Sequence, residues 1–171
     1  MYRASGNEVV HEISSAPEPA PDVPSPVVYA TDYHLVLAYN LSGFALAKFR
    51  GDPSVSWLDP DGEFVFIKFV RPYVHYMGAP NEEAVEGHPL YSKGIGDASI
   101  FRVENSSWIE SLEQMNRVHE RHDPTKFQTM KHFVFRFHDS TFEAVANEFE
   151  VVDVVRAGDD AEFFSLMAKA M

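Results

Sequence analysis

Apolar and polar residues alternate with a period of two between Lys131 and Asn147. Phenylalanine fills every second position from Phe133 to Phe137, which is the pattern of a strand with one buried face and one wetter face. The pair Asp139-Ser140 follows, and these residue types are common at the tip of a hairpin. The pattern therefore predicts an antiparallel hairpin that contributes its aromatic face to the core.

The alternation also predicts a register for this hairpin. With a two-residue loop, Phe135 lies opposite Ala144 on the apolar face, and Arg136 lies opposite Glu143 on the other face. A three-residue loop would place Phe137 opposite Glu143 and would mix the two faces. We therefore expect the two-residue loop and a polar outer face.

Similar patterns predict further strands. Residues 33–41 are largely apolar on both faces, which is typical of a central strand covered on two sides. Residues 63–70 form a nearly continuous apolar strand that ends at Arg71-Pro72, because proline cannot donate a ladder hydrogen bond. Between them we expect a turn at Ser42-Gly43, a strand at 44–49 and a hairpin turn at 59–62, where the sequence is Asp-Pro-Asp-Gly.

Helical spacing begins at Ser107. Ser107 and Glu110 are three residues apart, as in a capping box. The inward stripe continues in steps of three and four residues to His122, so the pattern predicts a helix over 107–122. Asp123-Pro124 then ends this helix and can begin a short helical turn.

A last helix is expected after Gly158, where Asp159 or Asp160 can cap it. Its apolar side is formed by Phe163, Leu166, Met167 and Ala170. Few helices separate the strands, which argues against a parallel, doubly wound sheet. The predicted fold class is therefore α+β, with an antiparallel sheet of roughly five to seven strands and two or more helices packed against it.

The first 26 residues differ in composition from the rest. Prolines recur there between Pro17 and Pro26, and each one fixes its own backbone angle and removes a donor. We expect residues 1–26 to form a proline-rich disordered N-terminal arm and residues 27–171 to form a single α+β globular domain. An arm of this kind buries little apolar surface, so its removal is expected to leave the unfolding midpoint unchanged.

The formal net charge of -12 argues against a nucleic-acid backbone or an anionic membrane as a partner. The chain has no cysteine, which excludes a disulfide framework and a thiol nucleophile. No apolar stretch approaches membrane-spanning length, and the N-terminus lacks the pattern of a signal peptide. We expect a cytoplasmic location.

Polar residues on an inward helix stripe indicate a pocket, because burying them without partners is costly. The stripe ends in Asn116, His119 and His122, just before the strand that carries His132. We expect His119, His122 and His132 to transfer protons in a pocket between the 107–122 helix and the 131–147 hairpin. The expected ligand-contacting residues are Asn116, Arg136, His138, His88, Tyr91 and Trp108.

The roles of these ligand-contacting residues differ. Arg136 and Asn116 would fix a polar or anionic group, and Trp108 and Met115 would form the apolar floor. His88 and Tyr91 lie in the loop-like segment between Gly78 and Ser99, which is long enough to act as a lid. The primary hypothesis is thus a small-molecule-binding domain, with histidine-mediated proton transfer as its enzymatic form and no cofactor.

Two alternatives stay open from the sequence. The first is a non-catalytic protein-interaction or regulatory module, expected as a homodimer, which the proline-rich segment and the aromatic content favour. The second is a metal-dependent hydrolase or oxygenase in which histidines bind a divalent metal. His119 and His122 lack the spacing and the intervening Glu of the common zinc-binding helix, so the metal hypothesis rests on residue type alone.

Overall fold

The structure is a computed structural model that describes residues 2–21, 24–41, 63–96, 99–157 and 159–171. The predicted turn at Ser42-Gly43, the predicted strand at 44–49 and the predicted hairpin turn at 59–62 lie outside these residues. The described residues form nine strands: β1 (Val9–Glu12), β2 (Val27–Ala30), β3 (Leu35–Asn40), β4 (Glu63–Val70), β5 (Val74–Gly78), β6 (Ile100–Glu104), β7 (Lys131–Arg136), β8 (Thr141–Ala146) and β9 (Glu148–Arg156). They also form three α-helices: α1 (Ser107–Asn116), α2 (Pro124–Gln128) and α3 (Asp160–Lys169).

The chain separates into two compact units. Unit 1 comprises Met1–Ile13 and Pro72–Glu148, and unit 2 comprises Ser14–Arg71 and Phe149–Met171. Unit 1 contains a five-stranded sheet in the order β1-β6-β7-β8-β5, and unit 2 contains a four-stranded sheet in the order β2-β3-β4-β9. Both sheets are antiparallel, so the predicted α+β class is confirmed. The structure has two units where the sequence predicted a single domain over 27–171.

The N-terminal segment is folded in the structure, contrary to the expected disordered arm. Strand β1 pairs antiparallel with β6 and lies at one edge of the unit 1 sheet. In unit 2, the proline-rich part contacts β3: the Tyr39 hydroxyl donates to the Pro17 carbonyl at 2.7 Å, and the Ala20 N–H donates to the Asn40 carbonyl at 2.8 Å. Proline removes a donor but keeps its carbonyl acceptor, so a proline-rich segment can still be held by its neighbours.

The core of unit 2 lies between the sheet and α3. Asp159 caps this helix by accepting a hydrogen bond from the Glu162 N–H at 2.8 Å, as its sequence predicted. Phe163 and Met167 are buried against Val36 and Phe66 of the sheet. The predicted central strand at 33–41 is confirmed over β3, whose first five residues are buried.

The hairpin at 131–147 forms with the predicted faces but with a different register. Phe135 lies opposite Phe142, not Ala144, and Glu143 lies opposite Val134, not Arg136. The turn is displaced by one position, because the Phe137 N–H donates to the Ser140 carbonyl at 2.8 Å and leaves His138 and Asp139, not Asp139 and Ser140, at the tip. A shift of two residues along one strand keeps every side chain on its face, so the alternation could not distinguish the two registers.

Helix α1 is shorter than the predicted helix over 107–122 and ends at Asn116. Beyond it the backbone continues in tight turns: the His119 N–H donates to the Asn116 carbonyl at 3.0 Å, and the His122 N–H donates to the His119 carbonyl at 2.9 Å. The His119 side chain also accepts from the Arg121 N–H at 3.0 Å, which competes with helical bonding. His119 and His122 therefore do not continue the inward stripe of the helix.

The predicted short helix after Asp123 is confirmed as α2, with Pro124 in its first turn and Asp123 accepting from the Thr125 N–H at 3.0 Å. No helix in the described part of the chain is both long enough and apolar enough to cross a membrane.

Candidate functional site

A buried carboxylate, Glu143, is the centre of a polar network inside unit 1. Its side chain is 1% exposed. Oε2 accepts hydrogen bonds from the Tyr2 hydroxyl at 2.9 Å and from His132 Nε2 at 2.8 Å. Oε1 lies 3.5 Å from His88 Nε2. We call Tyr2, His88, Ser106, His132 and Glu143 the Glu143 network, because Ser106 contacts the other ring nitrogen of His132 at 2.9 Å.

The sheet places the two central members of this network. His132 on β7 lies opposite Val145 on β8, so Glu143 is its diagonal neighbour on the same face. His88 follows the 3₁₀ helix Glu82–Gly87 and is buried. Ser106 directly precedes α1 as its N-cap. The network therefore joins the hairpin, the segment before β6 and the start of α1.

A second buried carboxylate, Glu8, holds a turn of the N-terminal segment shortly after Tyr2. Glu8 Oε1 accepts from the Ser5 N–H at 2.8 Å, and Oε2 accepts from the Gly6 N–H at 2.9 Å. Gly6 has a φ of 101°, a value that favours glycine. Burial raises the pKa of Glu8, but the Ser107 hydroxyl and these backbone N–H groups lower it to about 2.

The hydrogen-bond partners define the tautomers of the two histidines. His88 Nδ1 accepts from the Leu90 N–H at 3.1 Å, so the proton of neutral His88 is on Nε2 and faces Glu143. His132 Nε2 likewise donates to Glu143 in its neutral form, which leaves Nδ1 as an acceptor facing Ser106. Tyr2 and His132 thus donate to one carboxylate, and His88 Nε2 faces the same carboxylate at 3.5 Å without forming a hydrogen bond to it.

These donors decide the charge of Glu143. Burial raises the pKa of the Glu143 carboxyl, but the hydrogen bond from His132 and the contact with His88 lower it by more, to about 2. Burial raises the pKa of the Tyr2 hydroxyl far above its ordinary value, and the charge of Glu143 raises it further. Near neutral pH the network therefore contains an ionised carboxylate and a protonated tyrosine.

Aromatic rings enclose the network. Trp108 stacks on Tyr2 with ring centroids 5.6 Å apart and an interplanar angle of 13°. It also meets the His132 ring edge-on at 5.2 Å. Contacts of this kind exclude water and strengthen the hydrogen bonds inside. Trp108, predicted as the floor of a pocket, is instead a wall of the buried network.

An open groove with a volume of about 1180 Å³ lies on unit 1 beside α1. Its apolar lining includes Ile109, Phe127 and Met130. Its polar lining comes from the N-terminal segment, β6, α1 with its flanking residues, the end of α2 and the start of β7: Ser5, Asn7, Arg102, Glu104, Asn105, Ser106, Glu110, Glu113, Arg117, Gln128 and Lys131. A groove of this size can hold a metabolite or a drug-sized molecule.

Ser106 belongs to both the groove and the Glu143 network. Its residue is 7% exposed, so a small part of it reaches the surface. Its Oγ accepts from the Ile109 N–H at 3.3 Å, which is the capping bond of α1. The capping serine therefore lies between the groove and the buried histidine.

A second cluster occupies the C-terminal end of α1. His122 Nε2 lies 2.8 Å from Glu113 Oε1, and His122 Nδ1 lies 3.0 Å from Asn116 Oδ1. Arg117 also bonds Glu113, with Nη2 at 2.7 Å from Oε2, and this hydrogen bond lowers the pKa of the Glu113 carboxyl. Asn116 and His122, predicted to share a pocket with His132, instead meet each other and Glu113.

The other predicted site residues lie apart from both clusters. His119 is exposed, and its Nδ1 caps the Arg121 N–H, so the proton-transfer role predicted for it is withdrawn. Arg136 donates to the Gly96 carbonyl, His138 Nδ1 lies 3.0 Å from Glu82 Oε2, and Tyr91 is 41% exposed. Of the predicted site residues, the structure brings His132, His88 and Trp108 together around Glu143, and it brings Asn116 and His122 together at the end of α1.

Sequence reasoning missed Tyr2 and Ser106, and it named Glu143 as the partner of Arg136 and as one possible neighbour of the histidines, not as the centre of the site. A signal for Glu143 was present, because it lies on the same strand face as His132 and could have been paired with it diagonally. Tyr2 had no local signal. The described residues contain no group of three or more His, Asp or Glu side chains arranged to hold a metal ion.

The chain matches no protein-family model, no curated protein and no solved structure.

Proposed function

We propose that unit 1 binds a small molecule in the groove beside α1. The observation that carries this proposal is the double role of Ser106, which lines the groove and contacts the buried His132. A buried, ionised carboxylate in contact with buried histidines is a perturbed polar cluster of the kind that gathers at binding and catalytic sites. A solvent-facing groove at the end of this network gives the network access to a ligand.

The lining favours a neutral ligand with an apolar body and a polar end. Ile109, Phe127 and Met130 offer apolar contacts. The cations of the groove are already paired: Arg102 lies 2.8 Å from Glu104, Arg117 lies 2.7 Å from Glu113, and Lys131 bonds Glu148. A strongly anionic ligand would have to displace a carboxylate from each pair, whereas a neutral polar group can bond to the hydroxyls and amides without that cost.

A fragment screen on the purified protein by ligand-observed NMR tests this proposal. Ile109 lines the groove, and Gln114 is exposed on the same helix outside it. Ile109→Trp should fill the groove and weaken binding of the fragments at least about tenfold, a change of about 1.4 kcal/mol, whereas Gln114→Trp should leave binding unchanged. Fragments that bind both variants equally well would place the ligand elsewhere and contradict the proposal.

A second candidate is a protein-interaction module, for which the exposed end of α1 is the specific observation. Met115 is 65% exposed and Val118, three positions further on, is 93% exposed. Apolar side chains grouped at a surface are common in interfaces, and a homodimer is the partner that we propose for them. Sedimentation analysis tests this: Val118→Asp should dissociate such a dimer, and a wild-type protein that is monomeric at high concentration would exclude it.

We also retain the cytoplasm as the proposed location, since the chain contains no cysteine. Cell fractionation with an antibody to the protein tests it directly. Recovery in a secreted or membrane fraction would contradict it.

A further inference from the structure

We propose that Ser106 is a nucleophile that hydrolyses carboxylic esters, with His132 as its general base and Glu143 as the group that orients His132. This inference rests on the proposed function, because the ester would have to lie in the groove beside α1. It names the class of ligand and the chemistry: a neutral ester whose carbonyl carbon is presented to Ser106 Oγ.

The first support is the geometry of the three side chains. Ser106 Oγ lies 2.9 Å from His132 Nδ1, and His132 Nε2 lies 2.8 Å from Glu143 Oε2. These are the distances and the order of a serine, base and orienting carboxylate in acyl-transfer enzymes. In the common triad the histidine Nε2 faces the serine and Nδ1 faces the carboxylate. In this protein His132 Nδ1 faces Ser106 and Nε2 faces Glu143. Either nitrogen of imidazole can accept a proton, so the reversal leaves the chemistry intact.

The second support is the tautomer of His132. The ionised Glu143 holds the ring proton on Nε2, so Nδ1 carries the lone pair that faces the serine hydroxyl. Ser106 can then donate its proton to Nδ1 as its oxygen attacks. The imidazolium that forms would face the buried carboxylate directly, which is the arrangement that stabilises it during the reaction.

The third support is the position of Ser106 at the start of α1. The N–H groups of Ser107 and Trp108 are in the first turn, where no helical carbonyl can accept from them. Backbone N–H groups at a helix N-terminus stabilise negative charge. An ester held at Ser106 would have its carbonyl oxygen near this end of the helix, where an oxyanion can be stabilised.

The reaction balances without a cofactor. In the first step the Ser106 proton moves to His132 Nδ1, Oγ forms a bond to the carbonyl carbon, and the carbonyl electron pair moves to its oxygen. The tetrahedral species then reforms the carbonyl and breaks the bond to the leaving alcohol, which takes the proton from Nδ1. Water attacks the acyl-serine in the same way, so that ester and water give acid and alcohol and Ser106 recovers its proton.

The role of Ser106 as a helix cap can be separated from its role as a nucleophile by substitution. As an N-cap, Ser106 accepts from the Ile109 N–H, and asparagine caps a helix about as well as serine does. Ser106→Asn should therefore keep α1 capped but remove the nucleophile. Ser111 provides a matched control, because it is a serine of the same helix whose hydroxyl bonds only the Ser107 carbonyl among its described contacts.

The test is to incubate the folded protein with a fluorophosphonate probe and to locate the adduct by mass spectrometry. We expect one adduct, on Ser106, that is absent in Ser106→Asn and unchanged in Ser111→Ala. Hydrolysis of p-nitrophenyl butyrate should fall by about 10³-fold or more in Ser106→Asn, as when a triad nucleophile is removed. An unlabelled Ser106 in the folded wild-type protein overturns the inference without any variant.

The outcome also separates this inference from the proposed function. If fragments bind the groove but Ser106 is not labelled, the ligand site stands and the nucleophile is rejected. If Ser106 is labelled and fragments that bind the groove slow the labelling, both stand. If Ser106 is labelled and Ile109→Trp has no effect on ester hydrolysis, the nucleophile stands and the groove is rejected as its substrate site.

Discussion

Tyr2 and Glu143 lie 141 positions apart in the sequence and are joined by a hydrogen bond of 2.9 Å. The bond links the N-terminal segment to the central hairpin of unit 1. Because Glu143 is buried and ionised, its donors cannot be replaced by water. The N-terminal segment is therefore part of the folded core of unit 1.

Replacing Tyr2 by phenylalanine keeps its stacking on Trp108 and removes its hydroxyl donor. We expect Tyr2→Phe to lower the free energy of unfolding by about 1–3 kcal/mol, because a buried carboxylate loses a hydrogen bond. Tyr76 provides the control, since its hydroxyl donates to the Ala79 carbonyl at the surface. Tyr76→Phe should cost less than about 0.5 kcal/mol in the same urea titration. Equal costs would mean that the bond to Glu143 contributes nothing specific.

Removing residues 1–13 should destabilise unit 1, in contrast to the neutral effect that the sequence alone predicted. The deletion removes β1, whose Val10 packs against the core cluster that contains Phe101 and Val103, and it removes Tyr2 from the Glu143 network. We expect the thermal midpoint to fall by at least about 5 °C. The exposed Arg3 serves as a control, because Arg3→Ala should leave the midpoint unchanged. A truncated protein with the wild-type midpoint would show that the segment is not required.

Acid should destabilise the protein through its buried carboxylates. The ordinary pKa of a glutamate is 4.5, and the pKa of Glu143 in the folded protein is about 2. The stabilisation from this group is therefore fully present above about pH 4.5 and is lost as the pH falls towards 2. Between about pH 5 and 2, the free energy of unfolding should fall on the order of 3 kcal/mol more in wild type than in Glu143→Gln.

Glu8 contributes to the same pH window, because its pKa in the folded protein is also about 2. The residual acid sensitivity of Glu143→Gln should therefore decrease again in the double variant with Glu8→Gln. The measurement is a series of urea titrations across this pH range. A pH dependence that is the same in wild type and Glu143→Gln would contradict the assigned pKa of Glu143.

His132 and His119 should respond in opposite ways to substitution. His132 is fully buried with partners on both ring nitrogens, so His132→Ala would leave the Glu143 charge without its shortest hydrogen bond. We expect a loss of at least about 3 kcal/mol in unfolding free energy. His119→Ala should cost less than about 0.5 kcal/mol and should leave ester hydrolysis unchanged, because its side chain is exposed.

The more conservative His132→Gln provides a second measurement for the same residue. It should restore part of the stability by donating to Glu143, yet it should leave ester hydrolysis abolished, because an amide is not a base in this range. Recovery of hydrolysis along with stability would assign His132 a structural role only.

The sequence by itself determined the features that depend on neighbours along the chain. The alternation placed Phe133 and Phe135 on one face of the hairpin and His132 and Glu143 on the other, because successive side chains of any strand point to opposite faces. Asp123 before Pro124 and Asp159 before α3 were recognisable as caps, since a cap bonds N–H groups two or three residues away. The α+β class followed from these local patterns.

The tertiary structure decided which surfaces are covered. The face of His132 and Glu143 reads as polar and was expected to face solvent, yet Tyr2, His88 and the start of α1 bury it. The register of the hairpin was undetermined, because a shift of two residues preserves the faces that the pattern encodes. The helical spacing of the sequence also continues past Asn116, whereas in the structure the helix ends there and tight turns follow. The contact between Tyr2 and Glu143 spans 141 positions and leaves no trace in a local sequence pattern. Only the tertiary structure shows that the N-terminal segment lies on the hairpin and completes the site.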